Sequence, residues 1–203
     1  MMRGKLLVAA AGVVMLAGTL LFLFISNPAR RGRAYLRELG EIEVGKTTDS
    51  ELRHSAFSRH ATRECQQDSC VYVSRLNNHL LARLRLSPAT ELIIAVTEEK
   101  GVVSDIWIHG TVLSSYSAVA MVAAQQNAGP EPTNCDQNPC VKIAYKSDTG
   151  DDLSRAGILY IGKGNEISKA VNPGCLSKIG GCQNANEFMP MIYKLVKMKA
   201  GPR

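Results

Sequence analysis

Residues 6–25 read LLVAAAGVVMLAGTLLFLFI and contain no charge and no proline. At 1.5 Å rise per residue, a helix of that length matches a hydrocarbon core roughly 30 Å thick. The run is longer than the apolar region of a secretory signal, which spans roughly 7–15 residues. Ser26, Asn27, Pro28 and Ala29 make a poor cleavage site after it. Leu16-Ala17-Gly18 is followed by Thr19, where a lipid-attachment signal needs cysteine. The segment therefore reads as a transmembrane signal-anchor over residues 1–26, with the lipid bilayer as the partner of residues 6–25. The alternatives are a cleaved signal and a buried core helix, and the basic residues at both ends argue against the latter.

That span organises the charge. The formal net charge is +6, but residues 1–33 hold Arg3, Lys5, Arg30, Arg31 and Arg33 and no acid. The rest of the chain nearly balances, with 19 basic against 18 acidic side chains. A nucleic-acid binder carries its charge on the domain that binds. Only 5% of residues are aromatic, too few for a base-stacking platform. No nucleic-acid partner is expected, and the basic flanks suit lipid headgroups instead. They do not fix the orientation: Arg3 and Lys5 favour a cytoplasmic amino end, whereas Arg30, Arg31, Arg33 and Arg37 favour the reverse.

The cysteines decide it. They form three local couples, Cys65 with Cys70, Cys135 with Cys140, and Cys175 with Cys182, and none lies in the span. An even count in close couples suggests disulfides. Loops this short can bring Cα atoms to the required separation of about 5.5 Å. Asp136, Asn138 and Pro139 supply turn chemistry in the second loop, and Gly180 and Gly181 in the third. Zinc pairs usually have two to four intervening residues. The first two couples sit at that edge and the third outside it, although His54 and His60 lie near Cys65. No C-x-x-C redox pair exists. Disulfides persist outside the cytosol, so the soluble part is expected to be extracytoplasmic, in a periplasm or at the cell surface.

After the span, NPARRGR (27–33) reads as a flexible tether within a juxtamembrane linker over 27–45, and residues 34–40 as a helical turn. A disulfide-containing ectodomain then occupies 46–203. Thr48-Asp49-Ser50-Glu51 fits a capping box and predicts a helix over 48–58. Residues 71–76 predict a strand or the start of a helix, with Leu76, Leu80, Leu81 and Leu84 at helical spacing. Strands are expected at 91–97, at 102–109 with Gly110 ending it, at 140–146 and at 157–161. Residues 111–124 read as a strand or as a helix from Ser117. A helical stripe runs through 186–198. The fold class is α+β: an antiparallel sheet of four to five strands with flanking helices behind an N-terminal transmembrane helix.

Several motifs imitate chemistry. Gly40-Glu41-Ile42-Glu43-Val44-Gly45-Lys46-Thr47 satisfies the phosphate-loop pattern. Glu41 and Glu43 would repel an anion, and RAYLREL before it is not a buried strand. The same stretch, Val44-Gly45-Lys46-Thr47-Thr48 with Glu51-Leu52, resembles the opening of small envelope lipoproteins of the outer-membrane assembly type. That resemblance covers about a dozen residues and lacks the family's lipidated cysteine. Asp105, Trp107 and His109 share one face of a strand, with Ser114, Ser115 and Ser117 nearby. No strained G-x-S-x-G turn presents a nucleophile, so a polar strand face with Ile106 and Ile108 buried behind it is the expectation. His79 reads as a helix-surface residue. Asp148, Asp151 and Asp152 lack calcium-loop spacing. No catalytic, cofactor or metal residue is assigned.

The functional expectation is a membrane-tethered, non-catalytic interaction or scaffold domain of the envelope, with an envelope protein as partner. The alternative is an envelope hydrolase using His109 and nearby acids.

Overall fold

A computed structural model describes residues 2–112, 116–123, 155–161, 168–182 and 185–190. Strands at 116–123 and 155–161 are described by backbone alone.

One helix, α1 (Met2–Glu41), opens the chain and runs for 40 residues. At 1.5 Å per residue it is about 60 Å long. Its first part is the apolar run, and it is the one described helix long and apolar enough to cross a membrane, with its most apolar window entirely unburied. The expected tether at 27–33 is instead helical and continues α1, with Pro28 inside it. The reason is a stripe at helical spacing: Ala29, Gly32, Tyr35, Leu36 and Leu39 are all buried. Burying that stripe offsets the hydrogen bond that proline removes.

Five antiparallel strands follow in chain order: β1 (Thr62–Gln66), β2 (Ser69–Asn77), β3 (Thr90–Glu99), β4 (Val102–Val112) and β5 (Tyr116–Ala123). A sixth, β6 (Arg155–Ile161), pairs with β5 in parallel. The sheet is thus one strand larger than the sequence suggests, and its last pair is not antiparallel. A parallel pair needs a crossover connection, and residues 124–154, which make it, lie outside the described residues. So do the expected strand at 140–146 and most of the expected tail helix. The chain is α+β, with a long N-terminal helix and a mainly antiparallel sheet.

The turns follow local chemistry. Lys100 and Gly101 both have positive φ (52° and 84°), as a two-residue type I′ hairpin requires. A bulge between Thr97 and Glu98 inserts one extra residue, Ser104, into β4. The strand at 102–109 does not stop at Gly110 but runs to Val112. A Cβ at position 110 would lie 2.7 Å from Phe188 Cε1, so glycine there makes room for a helix.

The short helices lie on one side of the sheet. The expected helix at 48–58 is two helices, α2 (Asp49–Arg53) and α3 (Ala56–His60). Ser55 breaks them by capping α3, accepting from Ser58 N at 3.0 Å. The helical reading of Leu76–Leu84 gives way to a strand through Asn77 and then α4 (His79–Arg83). A 3-10 turn (Pro173–Leu176) and α5 (Ala185–Phe188) complete this layer. Tyr35, Leu36 and Leu39 of α1, Phe57 of α3, Leu176 and Phe188 join Tyr72, Leu76, Leu92, Ile94, Val96, Ile106 and Ile108 in one core. Tyr35 and Phe57 meet edge to face at 5.6 Å. Arg31 donates to Tyr35 Oη at 2.7 Å, and Glu38 Oε2 accepts from Phe57 N at 2.8 Å. These contacts weld the second half of the helix to the domain.

Candidate functional site

The cysteines come first, because the compartment depends on them. Cys65 is bonded to Cys70 across the β1–β2 hairpin, with Cα atoms 4.0 Å apart and the two residues in register. Cys175 is bonded to Cys182, with Cα atoms 5.2 Å apart. Cys135 and Cys140 lie outside the described residues. Among the described residues no group of three His, Cys, Asp or Glu side chains could hold a metal ion.

The phosphate-loop pattern has no loop to offer. Gly45 N donates to Val103 O at 2.8 Å, Lys46 N and Thr47 N donate to Glu43 O at 3.0 and 2.9 Å, and Thr48 N donates to Glu51 Oε2 at 2.8 Å. Lys46 Nζ pairs with Glu43 at 2.5 Å. The amides of Gly45, Lys46, Thr47 and Thr48 are thus committed elsewhere. The capping box, by contrast, forms in full: Thr48 Oγ1 also accepts from Glu51 N. Glu51 is held below the ordinary carboxyl value, first by the Thr48 backbone donor and then by its hydroxyl.

One polar cluster ties α2 to the sheet, and sequence reading did not single it out. Asp49 Oδ1 accepts from Tyr72 Oη at 2.5 Å. Arg53 pairs with Asp49 Oδ2, and Arg63 lies 3.7 Å from the same oxygen. The Arg63 guanidinium also sits over the Tyr72 ring, 5.3 Å from its centroid. Burial pushes the Asp49 carboxyl up, but donation from Arg53 and Tyr72 and the charges of Arg53 and Arg63 outweigh it and hold it below its usual value. Burial, with the Asp49 carboxylate second, pushes the Tyr72 phenol up. Only the i, i+4 spacing of Asp49 and Arg53 could have pointed to it from sequence. The cluster is internally satisfied and reads as a brace.

Asp105, Trp107 and His109 do share one face of β4. With Thr111 they are half-buried, while Ile106 and Ile108 are fully buried behind them. The polar members bond to their immediate neighbours. Asp105 accepts from Thr97 Oγ1 at 2.9 Å and from Ser104 Oγ at 3.0 Å. His109 Nε2 lies 3.2 Å from Thr111 Oγ1. Asp105 and His109 are four residues apart on an extended strand, roughly 13 Å, so the structure does not bring them together. Ser114 and Ser115 are outside the described residues, as are the acids near position 150.

What this face does form is an apolar belt. Val73, Ala95 and Trp107 stand in register across β2, β3 and β4. Val71 and Ile93 lie on the same side, and Met121 of β5 is in register with Trp107. The described helices pack on the opposite face. Ion pairing of Arg75 with Glu91 at 3.7 Å edges the belt. No family model, no curated protein and no solved structure matches this chain.

Proposed function

We propose that the chain is a membrane-tethered, non-catalytic scaffold or interaction domain of the cell envelope, held on the oxidising side of the bilayer. The single observation that carries this reading is α1. One uninterrupted helix has an exposed apolar half of membrane-spanning length and a second half built into the core of the domain. The two disulfides support placement outside the reducing cytosol. Trp107, half-buried with Val71 and Val73 on this face while Ile93 and Ala95 are buried, is the side chain through which such a domain would meet an envelope protein.

Two measurements on the full chain in intact membranes test the proposal. The first is a count of thiols that react with a membrane-impermeant alkylating reagent. None should react before reduction, and both described couples should react after it. Reactive cysteines without reduction would overturn the placement. The second is photo-crosslinking from a benzoylphenylalanine at Trp107, compared with one at exposed Asp68. A discrete adduct from position 107 alone supports the interaction role, and equal or absent labelling at both positions overturns it.

A further inference from the structure

Apart from the apolar half of α1, three large hydrophobic side chains are exposed among the described residues: Leu84 (50%), Leu86 (42%) and Ile179 (69%). Such residues scattered singly would need no explanation. These are gathered. Gly180 N donates to Leu86 O at 2.7 Å, and a Cβ on Gly181 would lie 2.8 Å from Ser87 Oγ and Pro88 Cδ. The loop carrying Ile179 is thus fitted against the loop carrying Leu86, and the Cys175–Cys182 bond closes it.

Each of the three has a basic neighbour in sequence: Arg83, Arg85 and Lys178. Lys178 also pairs with Glu187 at 2.9 Å, so the two arginines carry most of the cationic character. The backbone holds them out firmly. Leu86 N donates to Leu81 O at 2.9 Å and Arg85 N to Ala82 O at 3.0 Å, the bond pair of a Schellman motif. Glycine usually takes the left-handed position of that motif. Here Arg85 does, at φ 57°, and a residue kept there against local strain points to a use for its side chain. Asn78, buried at 3%, locks the base of the loop through Ser87 Oγ, Pro88 O and Thr90 N, each at 2.8 Å.

The position of this loop pair is the decisive observation. Phe24, Ile25 and Pro28 of α1 line one cleft with His79, Leu80 and Leu176. The helix that leads into the first loop and the 3-10 turn that leads into the second thus meet α1 where its apolar half ends. We propose that Leu84, Leu86 and Ile179, ringed by Arg83 and Arg85, form a foot that rests in the interface of the bilayer α1 spans. The apolar tips reach the acyl boundary and the guanidinium groups lie among anionic headgroups. The proposal rests on the membrane-anchor reading of α1.

The test uses the full chain in phosphatidylglycerol-containing nanodiscs, with Trp107→Phe as background. Ile179→Trp, Leu86→Trp and Leu16→Trp each then supply the lone tryptophan, and lipids brominated near the headgroup or deep in the acyl chain supply the quencher. Circular dichroism confirms that each variant keeps its helix and strand content. Leu16→Trp should be quenched by deep bromines. Ile179→Trp and Leu86→Trp should lose about half their emission to shallow bromines and little to deep ones, as interfacial insertion requires. Adding Arg83→Glu and Arg85→Glu should reduce that shallow quenching. If position 16 is quenched and both 179 and 86 are not, the foot is refuted and the anchor stands. If position 16 is not quenched, the anchor reading fails and takes the foot with it.

Discussion

The two halves of α1 share one backbone and differ sharply in what covers them. In the first half Leu16, Leu20 and Phe22 are 64%, 57% and 69% exposed. In the second, Ala29 and Leu39 are 0% exposed and Tyr35 and Leu36 nearly so. The first half is apolar on every side, which suits a surrounding hydrocarbon. The second is apolar along one stripe and basic elsewhere, which suits a helix packed on a sheet. One helix carried through Pro28 therefore joins two pieces that are stabilised by different means. Removing a side chain should show which piece it belongs to.

The largest contrast should come from leucine truncation. Leu39→Ala is expected to cost about 2–5 kcal/mol by opening a cavity in the core. Leu16→Ala should leave the domain's unfolding midpoint unchanged in detergent micelles, read by denaturant titration. Glycines give the second contrast. A Cβ at Gly32 would lie 2.8 Å from Pro173 Cβ, so Gly32→Ala should cost up to about 3 kcal/mol. Gly12 and Gly18 have nothing within 4 Å, and alanine at either should be tolerated in the same melt.

Acid should act on the folded domain and not on the apolar half of α1. The folded Asp49 carboxyl titrates below its ordinary value, so its contribution is complete above about pH 4, the unfolded value. It fades as pH falls through the lowered folded value. Asp49→Asn should therefore lose about 2 kcal/mol near neutrality. Its unfolding curve should converge with that of the parent chain in strong acid, while helix signal from the span persists. The smallest effect runs the other way. Arg85→Gly should raise domain stability by about 1 kcal/mol by relieving a left-handed arginine, and the same change should weaken shallow lipid quenching. A gain in both would break the link drawn between the strained turn and the bilayer.

Sequence periodicity was a good guide where one environment governs a segment. The run at 102–109 is a strand whose alternate residues meet core and outer face, and the run at 91–97 is a strand with residues 92–96 all buried. Thr48 and Glu51 form the capping box their spacing implies. The couples Cys65–Cys70 and Cys175–Cys182 are bonded as their short separations suggest. Reading failed where tertiary packing overrode local composition. NPARRGR looks like a tether because proline, glycine and arginines dominate it, yet Ala29, Gly32, Leu36 and Leu39 fall on one buried stripe that spacing alone could have revealed. Leu76 and Leu80 fit a helix on paper, but Asn78 turns the chain by bonding to Thr90 instead. The parallel pairing of β6 could not be read, because strand direction depends on a connection rather than on the strand's own residues. Of the candidate site, the face of Asp105, Trp107 and His109 was legible. The foot was not, since its members come from loops far apart in sequence.

On the membrane-anchor reading proposed above, the absence of a joint in α1 limits what the domain can meet. A domain on a flexible leash searches a hemisphere and can stoop or stretch toward its target. Carried on a helix continuous with its anchor, a domain so tethered would mainly revolve about that helix and drift sideways in the lipid plane. Encounters are confined to a thin shell of constant height, and a binding surface displaced by one helical turn along the membrane normal would pass it by.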